Sequence, residues 1–353
     1  MIYDAVLVLS FGGPESRADV MPFLENVLRG KRVPRQRMLE VAEHYYHFGG
    51  QSPINGQTRA LIAALETELA HHGPQLPVYW GNRNWHPLLG DTLRKMEQDG
   101  VRRALAFVTS AYSSYSGCRQ YLEDITNARA LVGPGAPAVD KLRAFFNHPG
   151  FIAALVERVQ EALSQVSPDE RAGIPLVYTA HSIPVAAAQA SAYVAQLAET
   201  VRLVSERLGR RGDPLVYQSR SGPPQQEWLG PDILDYLRTI QPIGQPTGQP
   251  TDSLADQKTG QPADGASLLV VPVGFISDHM EVVYDLDTEA HDLCRARGIR
   301  MIRAATVGTH PKFIRMIRDL ILERVEDTGE RPALGALGAG ADFCSPDCCL
   351  VRT

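Results

Sequence analysis

No stretch of this 353-residue chain approaches the roughly 20 uninterrupted apolar residues of a membrane-crossing helix, so the sequence predicts no membrane span. Charge of one sign is equally scarce. There are 35 Lys and Arg against 40 Asp and Glu, a formal net charge of −5, which speaks against a nucleic-acid protein working through bulk positive charge. Basic residues are missing ahead of the first apolar run, 5–9, which sits between Asp4 and a Gly-Gly-Pro turn. That run does not read as a signal peptide, and the expected compartment is the cytoplasm. Cysteine, at 5 residues, is too sparse for a disulfide scaffold. Three of the five nevertheless crowd together as Cys344, Cys348 and Cys349, which asks for a metal explanation before a disulfide one.

Short apolar runs alternate with longer helical patterns from end to end. Strands are predicted at 5–9, 78–80, 104–109, 175–179, 215–218, 268–273 and 301–304. They are apolar throughout, as parallel strands covered on both faces are. Helices are predicted at 58–72, 151–165, 188–208, 279–297 and 311–324. This alternation argues for an α/β protein of doubly wound parallel sheets, with ligands beyond the carboxyl ends of the strands. The simplest partition is two similar domains, 1–167 and 168–328, followed by a Gly/Ala-rich tail, 329–353, that would not fold alone. Residues 241–266 repeat Gly-Gln-Pro three times without an apolar period and are expected to be a flexible surface insertion.

His181 follows the predicted strand 175–179 at its carboxyl end, where an imidazole points into the expected cleft and, when neutral, can take a proton or bind a divalent metal. A second strand runs into Ser277-Asp278-His279-Met280-Glu281, with Ser277 or Asp278 as the expected N-cap. Glu281, Asp285 and Glu289 then follow at i, i+4 and i+8, one column on a regular helix. Stacked like charges oppose helix formation, so the column is either a solvated face or a ladder that hands a hard cation inward. Oxygen ligands with one nitrogen suit ferrous iron held loosely. Ser10-Phe11-Gly12-Gly13-Pro14 lacks the dinucleotide pattern and reads as close backbone approach to a flat ligand. Phe48-Gly49-Gly50-Gln51-Ser52-Pro53-Ile54, preceded by His44, Tyr45, Tyr46 and His47, could seat a large flat ring with acidic arms, which Arg29-Gly30-Lys31-Arg32 could meet. Tyr112, Tyr115 and Tyr121 surround Cys118 and are either core or ligand wall.

These motifs resemble the ferrochelatases over nearly the whole chain. The segments that carry the resemblance are LSFGGPE (9–15), FGGQSPI (48–54), TAHSIP (179–184), YQSRSGPPQQEWLGP (217–231) and GFISDHMEVVYDLDTE (274–289). In style they are most similar to soluble bacterial members of the coproporphyrin branch, actinobacterial type. The resemblance implies two Rossmann-like domains with a porphyrin cleft between them. It implies insertion of Fe²⁺ with release of two protons, coproporphyrin III becoming coprohaem. Protoporphyrin IX as substrate, or a non-catalytic haem- or metal-binding protein, are the alternatives. His181 would be catalytic base and metal ligand, with Glu281 its partner across the macrocycle. Asp285 and Glu289 would form the outer metal ladder. Ser52 and Tyr121, in preference to Tyr115, would contact the propionates, with Arg29 and Tyr45 as further candidates. Some relatives have Tyr or Met where Phe11 stands, and some have Arg where His44 stands. The resemblance also implies a [2Fe-2S] cluster on Cys344, Cys348, Cys349 and a fourth ligand, Cys118 in preference to Cys294; zinc or no metal stays open. Porphyrin, ferrous iron and neighbouring haem-pathway enzymes are the expected partners.

Overall fold

The computed structural model describes residues 2–30, 33–222, 225–240, 267–327, 329–345 and 347–350. The Gly-Gln-Pro segment 241–266 and the basic residues Lys31 and Arg32 lie outside the described residues.

Among the described residues eight strands form two parallel sheets of the same design. β1 (Ala5–Ser10), β2 (Val78–Asn82), β3 (Arg103–Val108) and β4 (Ala138–Lys141) take the order β2-β1-β3-β4. β5 (Leu176–His181), β6 (Leu215–Gln218), β7 (Ser267–Val271) and β8 (Arg300–Arg303) repeat it as β6-β5-β7-β8. All pairings are parallel. β1 is buried at every position, which is why its sequence has no polar alternation. β4 escapes sequence reading because Ala-Val-Asp-Lys is a short, half-buried edge strand, and its Asp140 is spent pairing Arg103 at 2.6 Å. In this strand order the chain changes direction beside β1 and β5. A crevice therefore opens at the carboxyl ends of β1 and β3, and again at those of β5 and β7.

The largest core lies between the two sheets. It joins β1 and β3 to β5 and β7 through the helices Ile54–His72, Pro149–Leu163, Tyr193–Arg207 and Pro311–Val325. Phe107, Phe145, Phe151 and Phe313 meet at its centre with ring centroids 5.4 to 6.3 Å apart. Truncating any one of them to Ala removes roughly 3–5 kcal/mol. The predicted helix 188–208 is instead two, Val185–Gln189 and Tyr193–Arg207. The tail is strapped onto this core rather than folded alone: Asn147 Nδ2 donates to Leu334 O at 2.9 Å and Gly338 O at 2.8 Å.

Candidate functional site

His181 is the last residue of β5, and Tyr193 donates to its backbone carbonyl at 2.9 Å. Gln218 ends the neighbouring strand β6 and donates from Nε2 to Glu281 O at 2.5 Å. The segment after β7 can approach because residue 274 is glycine: a Cβ there would lie 2.6 Å from Ala180 Cα. Gly274 N bonds Thr179 O at 3.0 Å, which brings the following helix against the end of β5. The helix cap differs from expectation. His279 is the N-cap, its Nδ1 accepting from Glu281 N at 3.3 Å. Asp278 is drawn away, accepting from Arg303 and Thr306 at 3.2 Å each, while its N–H reaches Gln57 Oε1 at 2.8 Å.

His181 Nε2 and Glu281 Oε1 lie 3.2 Å apart. That distance corrects the expectation that the two residues face each other across a macrocycle, because a hydrogen-bonded pair has no room for a ring between its members. Both come from the second sheet's side and border the same cavity. Burial works against charge on both residues. Their mutual attraction outweighs it, raising His181 to about 9 and lowering Glu281 to about 2. At neutral pH the pair is therefore imidazolium and carboxylate, not the neutral base an unperturbed histidine would supply.

The acidic column is also altered. Met280–Val283 is α-helical, but Asp285–Ala290 is a π-turn in which Glu289 N bonds Tyr284 O at 3.0 Å, five residues back. A wider turn breaks the regular i, i+4, i+8 stacking. The three carboxylates still form a graded series. Glu281 borders the cleft, Asp285 is half-buried behind it and Glu289 is exposed. Burial raises Asp285 to about 7 despite a hydrogen bond from Ser219, with Glu281 and Glu289 adding to the rise. Ser219 makes that contact from a left-handed backbone, φ 64°, unusual outside glycine. Burial, then Asp232, raises Glu289 as well.

A cavity of about 440 Å³ opens between the carboxyl ends of the two sheets, within the usual range for small-molecule sites. Of the residues expected from sequence, Phe11, Tyr45, Ser52, Tyr121, His181 and Glu281 border it. Burial and the Glu281 charge raise the Tyr45 hydroxyl pKa, so that tyrosine stays protonated. Arg29 is exposed and not on this wall, and Tyr115 is turned away, its hydroxyl bonded to Glu123 at 3.0 Å. Sequence reasoning missed Arg83, His279 and Trp228, all on the wall. His279 and Trp228 fall inside motifs quoted above; Arg83 carried no local signal beyond following a strand.

Cys344, then burial, pushes the Cys118 thiol up, while Cys118 holds the Cys344 thiol below its ordinary value. Cys344 in turn touches Cys348, whose sulfur lies 3.5 Å from that of Cys349. Cys294 belongs to a separate buried cluster under the second sheet. Four thiols are thus neighbours, yet among the described residues no group of three or more His, Cys, Asp or Glu converges as a metal site.

The family model described as Ferrochelatase matches residues 3–246 and 252–325. A ferrochelatase of Rhodopirellula baltica is 54% identical over 99% of this chain and 93% of its own. A coproporphyrin III ferrochelatase of Streptomyces griseus is 47% identical over 99% and 94%. Among solved structures, the sirohydrochlorin chelatase of Bacillus subtilis subspecies spizizenii shares the fold, with a TM-score of 0.52, 10% identity, and coverage of 94% of this chain and 99% of that one.

Proposed function

The chain belongs to the ferrochelatase family, and on that premise we propose that it inserts Fe²⁺ into coproporphyrin III in haem biosynthesis, releasing two protons. The observation that carries this reading is the His181–Glu281 pair on the wall of a ligand-sized cleft, with further carboxylates behind it. In a porphyrin, two N–H protons and the incoming ion compete for one small hole. Bending the ring exposes nitrogen lone pairs, and binding energy can supply the strain. Asp285 and Glu289 strip water from the ion stepwise on its way to Glu281. A cation reaching Glu281 removes the attraction that holds the imidazolium proton, which passes to solvent; the neutral imidazole then takes one pyrrole proton, hands it to solvent and takes the second. Ser52, Tyr121 and Tyr45 are read as contacts to the ring and its propionates, and Phe11 as a face against the ring. Arg29 and Tyr115 have no support from the geometry. Similarity to coproporphyrin III ferrochelatases favours the tetra-acid over protoporphyrin IX, and comparing kcat/KM for the two tests that choice. His181→Ala is expected to lose metallation while still binding porphyrin; unchanged turnover would overturn the role.

The four-thiolate set suits a [2Fe-2S] cluster by donor chemistry. Cys118, Cys344, Cys348 and Cys349 would hold it, and such a cluster would supply reversible one-electron chemistry. Visible absorption of anaerobically purified, porphyrin-free protein tests this, and an iron-free, colourless preparation would end it. Five free cysteines favour a reducing compartment, the cytoplasm. Enzymes acting on coprohaem are the expected partners. Residues 1–167 and 168–328 are read as two domains because each sheet draws its strands from one of them.

A further inference from the structure

Arg83 takes no part in the chemistry above, yet it borders the cleft. It follows the last residue of β2, and its backbone N–H donates to Ser10 O at 3.0 Å, which holds it at the carboxyl edge of the first sheet. Only 7% of its side chain is exposed. A guanidinium so far from water needs partners for its N–H donors. Nε lies 2.7 Å from Asp124 Oδ2, Nη1 donates to Ser116 O at 3.3 Å, and the guanidinium carbon is 4.7 Å from the Tyr121 ring centroid. Among the described residues Nη2 has no hydrogen-bond partner. A charged donor left unpaired in a buried setting is costly, and a planar carboxylate is the group that matches a guanidinium fork. The neighbouring wall residues Ser114, Ser116 and Tyr121 add neutral hydroxyl groups.

We propose that Arg83 anchors one peripheral carboxylate of the porphyrin, at the end of the cleft formed by the first sheet. The proposal rests on the reading of the cleft as a porphyrin site and adds a specificity residue to it. The metal-handling pair comes from the second sheet and this anchor from the first. An acid arm held at Arg83 therefore sets how the ring lies over His181, and favours porphyrins that carry more such arms.

The test is fluorescence titration of metal-free coproporphyrin III and of its tetramethyl ester, in the same mild detergent, with wild type, Arg83→Ala and Arg83→Lys. Loss of a charge-assisted hydrogen bond should weaken binding of the tetra-acid by about ten- to a hundredfold in Arg83→Ala. The ester should change by less than about twofold on the same reasoning. In turnover the loss should fall on KM more than on kcat. Should the alanine variant not fold, Arg83→Lys carries the test, because a lysine can serve Asp124 or the incoming carboxylate but not both. Equal weakening of acid and ester, or unchanged binding of the acid, overturns the proposal. Wild-type protein that metallates neither porphyrin overturns the ferrochelatase reading instead.

Discussion

The imidazole of His44 lies flat on the ring of Tyr284, with centroids 3.7 Å apart and planes 9° apart. His44 belongs to the helix Arg35–His47 on the first sheet's side, while Tyr284 stands where the acidic helix passes into its π-turn. His47 meets the same ring edge-on at 6.4 Å. The first half of the chain therefore clasps the segment that carries the carboxylates. His44→Ala should cost about 0.5–1.5 kcal/mol, the worth of an aromatic pair. Burial, then Arg37, lowers the His44 pKa. A histidine depressed in the folded state stabilises above its unfolded value, near 6.5, and loses that contribution as pH falls. Thermal unfolding between pH 7 and 5 should fall less steeply in His44→Ala than in wild type; parallel curves would show that the stack does not titrate.

Metal binding to the porphyrin-free protein should strengthen as pH rises towards about 9, because His181 must give up its proton to become a ligand. Calorimetry with Zn²⁺ in buffers of different ionisation enthalpy should show close to one proton released at pH 7 and little above pH 9. Glu281→Gln removes the partner that raises His181, so the proton release should vanish at a lower pH. The linked stability has two windows. The His181 contribution is complete below about 6.5 and lost as pH rises through about 9. The Glu281 contribution is complete above its ordinary value and lost as pH falls through about 2.

Asp285 titrates near neutrality, at about 7, so it attracts a cation above that pH and not below. KM for the metal should fall between pH 6 and 8 in wild type and lose that step in Asp285→Asn. Ser219→Ala removes a donor that favours the charged carboxylate and should move the step upward. A metal KM with the same pH profile in all three proteins would exclude Asp285 from metal delivery.

Arg143 and Glu323 form a buried, two-pronged ion pair at 2.7 and 2.8 Å, and Arg143 also donates to Pro332 O at 2.9 Å in the tail. Their side chains are 1% and 6% exposed. Glu323→Ala leaves a buried guanidinium uncompensated and should cost about 3–5 kcal/mol in urea unfolding. Replacing both residues with apolar ones of similar volume should recover most of that loss. A single-variant loss below about 1 kcal/mol would mean that water or the tail satisfies the arginine.

The parallel strands were legible because burial on both faces leaves no place for polar alternation, as in Ala5–Ser10. His181 was legible because a strand end is a local event, and the carboxyl end of a central strand is where such sheets bind ligands. β4 was not, since an edge strand carrying a salt-bridged Asp140 has no apolar run to betray it. The regular column of Glu281, Asp285 and Glu289 was a fair inference from spacing. The π-turn that breaks it lies where Ser219 holds Asp285, Arg303 holds Asp287 at 2.5 Å and His44 covers Tyr284.

What the residues settle alone is periodicity: which segments are strands or helices, where glycine must stand, and which chemical groups sit at the ends of elements. Each is decided by neighbours a few positions away. Only the folded chain decides that His181 and Glu281 touch, that Tyr121 borders the cleft while Tyr115 turns outward, and that Arg83 stands on the cleft wall with one donor unpartnered among the described residues. Those relations join residues far apart in sequence, and they follow from how two sheets pack against shared helices, a geometry that no local pattern encodes.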